Sequence, residues 1–209
     1  MSKIEEVKAK VEAGKSKLVP GLVQEALDEG SAPGEILQAM VDSMGVVGDK
    51  FSSGEIFVPE MLIAAKAMSK GVEVLKPLMA GDGSASLGTC VIGTVAGDLH
   101  DIGKNLVSMM IESAGFDMVD LGVDVPADTF VSAVKDNDNV KIVACSGLLT
   151  TTMPALKEAV ATVKAACPDV KVIVGGAPVT PEYAAEVGAD GYAPDAGSAA
   201  VKAKELVSA

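Results

Sequence analysis

From Thr89 to the end of the chain, short apolar runs alternate with helical stretches. Thr89 to Val95 (TCVIGTV), Met118 to Leu121, Lys141 to Ser146 (KIVACS), Lys171 to Val174 and a short piece near Gly191 read as strands. Helices are expected between and after them, near residues 103–114, 127–135, 153–166, 181–186 and 197–206. Short apolar runs separated by helix-length segments describe a parallel sheet with crossover helices on both faces. Such a sheet places its ligands beyond the carboxyl ends of the strands.

Before Ala80 the periodicity is different. Ile36, Leu37, Met40, Val41, Met44, Val47 and Phe51 recur at three- and four-residue steps, as do Val58, Met61, Leu62, Ala65, Met68, Val72 and Leu75. These are amphipathic helix patterns. Pro33 and Pro59 fall near the helix starts, where a missing N–H is tolerated. Two shorter helices are expected from about Ser2 to Glu12 and from about Lys15 to Asp28, completing a four-helix bundle. The stretch GDGSAS separates the halves and suits a linker. The expected domains are therefore a helical domain at 1–80, a linker at 81–87 and an α/β domain at 88–209.

Composition narrows the partners. The net charge is -12 and no basic stripe is visible, which disfavours nucleic acid. No apolar run is long enough for a membrane span, and the charged start Met1 to Lys10 is not a secretory signal. Cys90, Cys145 and Cys167 are too widely spaced for a zinc site, and Cys90 and Cys145 lie in apolar runs as core residues do. A reducing cytoplasm is the expected compartment.

The strand ends carry the chemistry. The first strand runs into GDLHDIGKNL, which holds the chain's single histidine, His100. Read alone, it is a loop histidine capping the next helix. Asp98, two residues away, offers a carboxylate for one ring nitrogen and would leave the other free for a metal. One histidine is a poor zinc site but suits a metal whose remaining ligands come from a macrocycle. The third strand ends in Ser146-Gly147-Leu148-Leu149-Thr150-Thr151-Thr152, where Thr151 or Thr152 could cap a helix or line a ligand. The fourth ends in Gly175-Gly176, either a tight turn or room for a flat ligand. No phosphate loop and no Gly-x-Ser-x-Gly elbow occurs.

Asp98-x-His100-x-x-Gly103, Ser146-x-Leu148 and Gly175-Gly176, in this order, resemble the cobalamin-binding signature. The stretch from Phe51 through Phe57, Val58, Pro59 and Glu60 to Leu62 is similar to the helical cap of methyl-carrying members. Nearly the whole chain resembles the corrinoid proteins of methanogen and acetogen methyltransferase systems and the cap plus cobalamin-binding modules of methionine synthase.

The resemblance implies a four-helix cap followed by a Rossmann-like, flavodoxin-like, doubly wound parallel five-stranded sheet. It implies a corrinoid (cobalamin, methylcobalamin when loaded) whose cobalt takes His100 as lower ligand in place of the cofactor's own base. Asp98 would bond His100, and Thr152 would extend that relay. Asp101, Ile102 and Gly103 complete the stretch around the ligand. Ser146, Leu148 and Thr150 would line the nucleotide tail, with Gly175 and Gly176 making space. Phe51, Val58 and Met61 would cover the methyl-bearing face. The implied partners are a donor-specific methyltransferase, an acceptor methyltransferase using a thiol or tetrahydrofolate, and a reductive activation protein. The chain would be a non-autonomous carrier subunit.

Two other readings stay open. The small subunit of a cobalamin-dependent mutase shares the histidine loop, though it needs no methyl-protecting cap. A non-enzymatic cobalamin sensor carries a similar cap, usually beside a DNA-binding or signalling domain.

Overall fold

A computed structural model describes residues 2–79 and 86–208. Most of the linker expected at 81–87 lies outside the described residues. The chain divides into two compact units: Met1–Ser86 with Ser113–Gly115, and Leu87–Glu112 with Phe116–Ala209.

The first unit has four helices among its described residues: α1 (Lys3–Glu12), α2 (Val19–Asp28), α3 (Pro33–Ser52) and α4 (Val58–Met79). Helix α1 begins where the Ser2 hydroxyl accepts from the Glu5 N–H, a side-chain N-cap. Helix α2 starts at Val19 rather than near Lys15. Pro20 sits in its first turn, where it has no N–H to lose, and four residues further in it would break the ladder. Helix α4 continues past Leu75 to Met79, through Pro77.

The helices pack in a cycle, with α1 and α4 each against α2 and α3. Ile36, Met40, Met61, Met68 and Leu75 of the expected apolar stripes are buried, and Val7, Val11 and Val23 of the two shorter helices join them in the core. Gly71 lets α4 approach closely, since a Cβ there would press on the Met40 sulfur and on Val19.

The second unit holds a five-stranded sheet of β1 (Thr89–Thr94), β2 (Asp117–Asp120), β3 (Val140–Ser146), β4 (Lys171–Gly175) and β5 (Gly191–Tyr192). All pairings are parallel, in the order β2-β1-β3-β4-β5. The crossovers contain α5 (Ile102–Ser113), α6 (Ala127–Asp136), α7 (Met153–Ala166) and α8 (Pro181–Glu186), and α9 (Ala196–Ser208) follows β5.

Side chains alternate across a strand. Val91, Val95, Val143, Cys145, Val172 and Val174 join Phe130, Leu156, Val160 and Val163 in one core cluster. Cys90, Ile92, Ile142, Ala144 and Ile173 point the other way and are also buried. Burial on both faces explains why β1, β3 and β4 read as continuous apolar runs. It also pushes the Cys90 thiol far up and the Cys145 thiol up to about 12. Both are core residues, as expected.

The flavodoxin-like sheet order has one consequence for function. The chain reverses direction across the sheet between β1 and β3, and their carboxyl ends open a crevice where ligands bind.

Candidate functional site

Beyond β1 the chain is held by the loop that follows β2. The Thr94 N–H donates to the Gly122 carbonyl (3.0 Å), the Val125 N–H to the Thr94 carbonyl (2.9 Å), and Val95 bridges Val125. On the opposite side the Val95 N–H donates to the Ser146 carbonyl at the end of β3 (3.0 Å). Gly97 then turns with φ 80°, a conformation glycine adopts without a Cβ penalty. This turn delivers Asp98 and His100 into the crevice.

Asp98 is fully buried. Its Oδ1 accepts from the His100 backbone N–H at 3.1 Å and lies 2.7 Å from His100 Nδ1. Its Oδ2 accepts from the Leu148 N–H at 2.6 Å, the Leu149 N–H at 3.3 Å and the Thr152 hydroxyl at 3.2 Å. Burial pushes the carboxyl up. The donors from Leu148, His100 and Thr152 together outweigh it and hold the group at about 2.

An anionic Asp98 requires the proton on His100 Nδ1, because two lone pairs 2.7 Å apart would repel. In the neutral ring that tautomer leaves the Nε2 lone pair free. The His100 side chain is 51% exposed, so its free edge is accessible. Among the described residues no group of three or more His, Cys, Asp or Glu forms a place for a metal ion. A single oriented imidazole would suit a metal whose remaining ligands come from a macrocycle.

The surroundings suit such a ligand. Leu99 and Ile102 are 72% and 78% exposed, and Leu148 and Leu149 are exposed as well. Apolar side chains left open around one polar group mark a binding surface. Gly103 has no protein atom within 4 Å of where a Cβ would stand, so the chain's own packing does not demand glycine there. Asp101 turns to its own helix, where its carbonyl accepts from the Asn105 N–H (2.8 Å) and its carboxylate from Asn105 Nδ2 (3.3 Å).

Thr152 precedes α7 in the N-cap position, after one 3-10 turn at Thr150–Thr152, but its hydroxyl makes no cap bond. It faces Asp98 and the Leu149 carbonyl instead. The capping reading of Thr152 therefore gives way to the relay position. Ser146 ends β3 between Thr94 and Gly175, and Thr150 is exposed. Gly176 has φ 129°, and a Cβ there would overlap the Gly147 carbonyl. Its glycine is required by the close passage of two loops. Phe51, Val58 and Met61 belong to the helical unit, where Met61 is fully buried, Phe51 and Val58 are half-buried, and neighbouring Phe57 is 68% exposed.

Sequence reasoning missed Leu99, Leu149, Thr94 and Asp124. Leu99 carried a usable signal, since a large apolar residue beside a loop histidine has no core to enter. Leu149 contributes through its backbone N–H, and Thr94 looked like any strand residue.

Comparison with known proteins gives the family. Two B12 binding domain models match the chain, one over residues 88–201 and one over residues 3–76. Dimethylamine corrinoid protein 1 of Methanosarcina acetivorans is 43% identical over 96% of this chain and 90% of its own length. The trimethylamine corrinoid protein of Methanosarcina barkeri is 43% identical over 90% of this chain and 88% of its own.

Among solved structures, a cobalamin-binding protein from Desulfitobacterium hafniense superposes with a TM-score of 0.82 at 31% identity, covering 97% of this chain and 98% of that one. A chain of the methanol:cobalamin methyltransferase complex of Methanosarcina barkeri gives 0.83 at 30% identity, covering 99% and 80%. The mutase and sensor readings give way to methyl transfer. This chain belongs to the B12-binding corrinoid proteins of methyltransferase systems: it holds a corrinoid and carries methyl groups between methyltransferases rather than completing a reaction alone.

Proposed function

We propose that the methyl group comes from a methylated amine and that His100 Nε2 is the lower ligand of the cobalt. The ligand assignment rests on one observation, the Asp98–His100 pair with its anionic carboxylate and half-exposed ring. The donor class is taken from the dimethylamine and trimethylamine corrinoid proteins to which the chain is 43% identical.

When bound, the corrinoid supplies a cobalt centre that accepts a methyl group and gives it up again. The chain's residues do the rest. Asp98 fixes the tautomer and direction of His100. Leu99, Ile102, Leu148 and Leu149 offer an apolar seat. Ser146, Leu148 and Thr150 line the nucleotide tail beside Gly175 and Gly176. Asp101, Ile102 and Gly103 form the near edge. We assign Phe51, Val58 and Met61 to shielding the methyl group, on the resemblance of the helical unit, with domains at 1–80 and 88–209 joined through 81–87.

A donor-specific methyltransferase loads the chain, an acceptor methyltransferase using a thiol or tetrahydrofolate unloads it, and a reductive activation protein restores oxidised cobalt. We place these encounters in the cytoplasm. All three cysteines are free, as a reducing compartment keeps them, and no helix among the described residues is long and apolar enough to cross a membrane.

His100 is the chain's single histidine, so labelling histidine with 15N labels one site. The Co(II) form of the reconstituted protein should show axial nitrogen splitting that changes with this label. Splitting indifferent to the label would remove His100 from the cobalt. For the donor, the chain is incubated with methyltransferases for monomethylamine, dimethylamine, trimethylamine and methanol. Methylation by an amine enzyme is expected, and methylation by the methanol enzyme alone would overturn the amine assignment.

A further inference from the structure

Asp98 holds the ring of His100, but the backbone of His100 is held from elsewhere. The Thr94 hydroxyl, fully buried, donates to the His100 carbonyl at 2.8 Å. The other polar atoms of Thr94 are committed to the loop after β2, its N–H to the Gly122 carbonyl and its carbonyl to the Val125 N–H. Thr94 is therefore a post to which both loops are tied.

The same loop grips the turn a second time. Asp124 Oδ1 accepts from the Gly97 N–H at 2.7 Å, and the Asp124 N–H donates to the Asp98 carbonyl at 2.9 Å. These two bonds run in opposite directions between the same strands of chain and make a clasp. Asp124 has φ 54°, in the left-handed region that aspartate enters more readily than most residues.

We infer that Thr94, with Asp124 as its companion, is a positioning residue for His100, setting the height and tilt of the imidazole through the backbone before a corrinoid arrives. The inference rests on His100 being the cobalt ligand. Preorganisation of this kind matters because one nitrogen must meet a metal already held in a rigid plane. A loop free to shift would lower the share of molecules in which it does.

The test uses the full chain reconstituted with cobalamin, with histidine labelled by 15N. Thr94→Val keeps the shape of the side chain and removes the hydroxyl. It is expected to bind cobalamin about tenfold more weakly, and part of the bound Co(II) should lose the label-sensitive axial splitting. Thr94→Ser restores the hydroxyl and should restore both readouts. Asp124→Gly keeps the left-handed backbone available and removes the acceptor, so it should move both readouts in the same direction even if Thr94→Val fails to fold. Asp124→Asn, which keeps Oδ1 as an acceptor, should resemble the parent chain.

A purely stabilising role would lower the yield of folded protein and leave the splitting of the reconstituted fraction complete. Full splitting and parental affinity in folded Thr94→Val and Asp124→Gly would overturn the inference. His100→Ala separates this from the premise. If it keeps the same axial nitrogen, the ligand assignment fails. If it loses that nitrogen while Thr94→Val and Asp124→Gly behave as the parent, only the positioning role fails.

Discussion

His100 Nδ1 lies 2.7 Å from Asp98 Oδ1, and the second oxygen of that carboxylate is spent on Leu148, Leu149 and Thr152. One buried carboxylate thus ties the loop after β1 to the loop after β3 across the crevice. An amide cannot replace it. In Asp98→Asn one of the two donor sets faces an NH2 group, donor against donor. We expect cobalamin affinity to fall by about 10- to 100-fold and the apoprotein to lose about 3 kcal/mol. Spectroscopic titration and urea unfolding read the two effects. Parental affinity would mean that the tautomer of His100 is set by something else.

The same carboxylate makes stability depend on acid. Its pKa falls from the ordinary 3.8 to about 2 in the folded chain. A depressed carboxyl contributes stability that is fully present above the unfolded value and is lost as pH falls through the folded one. The window is therefore about pH 4 to 2, and the contribution is about 2 kcal/mol. Urea unfolding of the apoprotein at steps through this window should show a steeper loss than in Asp98→Asn, which has no group to protonate. Identical slopes would assign the acid sensitivity to other carboxylates.

Thr152 is bound less firmly into the relay. Its hydroxyl is 3.2 Å from Asp98 Oδ2 and 2.9 Å from the Leu149 carbonyl, and it has one hydrogen for the two acceptors. Asp98 keeps its other donors when this hydrogen points to Leu149. Thr152→Val should therefore cost about 1 kcal/mol and lower affinity far less than Asp98→Asn. The two variants are compared in one titration series. An equal loss would make the hydroxyl indispensable to the pair.

The contrast between Thr152 and Leu149 also marks what a sequence can reveal. Asp98, His100 and Thr152 stood out because side-chain type carried their chemistry. The donors from Leu148 and Leu149 are backbone N–H groups, which any residue but proline supplies, so no letter announced them. Thr94 and Asp124 act across a pairing between loops that exists only once β1 and β2 are aligned. The strands were legible for a simpler reason. Burial of β1, β3 and β4 on both faces leaves unbroken apolar runs, whereas β2, at the sheet edge, shows only DMVD. Helix α2 starts at Val19 and not near Lys15 because amphipathic periodicity does not locate a first turn, and Pro20 does.

Gly176 and Gly147 look equivalent in sequence and differ in the fold. A Cβ at Gly176 would overlap the Gly147 carbonyl, at a φ of 129° that few side chains tolerate. A Cβ at Gly147 would meet its nearest atom, on Val95, at 3.7 Å. Gly176→Ala should cost about 3 kcal/mol or more, and Gly147→Ala about 1 kcal/mol or less. Thermal unfolding of the apoproteins measures both. Equal stability would mean that the loops after β3 and β4 separate easily and that Gly176 serves the ligand alone.

Leu99 and Ile102, close to His100 in the chain, and Leu148 and Leu149, whose N–H groups bond Asp98, carry exposed apolar side chains. Such surface binds environment-sensitive dyes and promotes association until something covers it. The apoprotein should therefore enhance the fluorescence of an apolar dye, and stoichiometric cobalamin should remove most of that enhancement. Two substitutions separate this patch from other exposed residues. Leu99→Ser with Ile102→Ser should reduce dye binding by the apoprotein and weaken cobalamin by about 100-fold, since two side chains at about 1.5 kcal/mol each, the low end for full burial, sum to about two tenfold steps. The same pair of changes at Leu18 and Val201, both exposed elsewhere, should leave cobalamin affinity unchanged. If cobalamin leaves the dye signal intact, the corrinoid does not lie on these four side chains and the apolar seat must be sought on another surface.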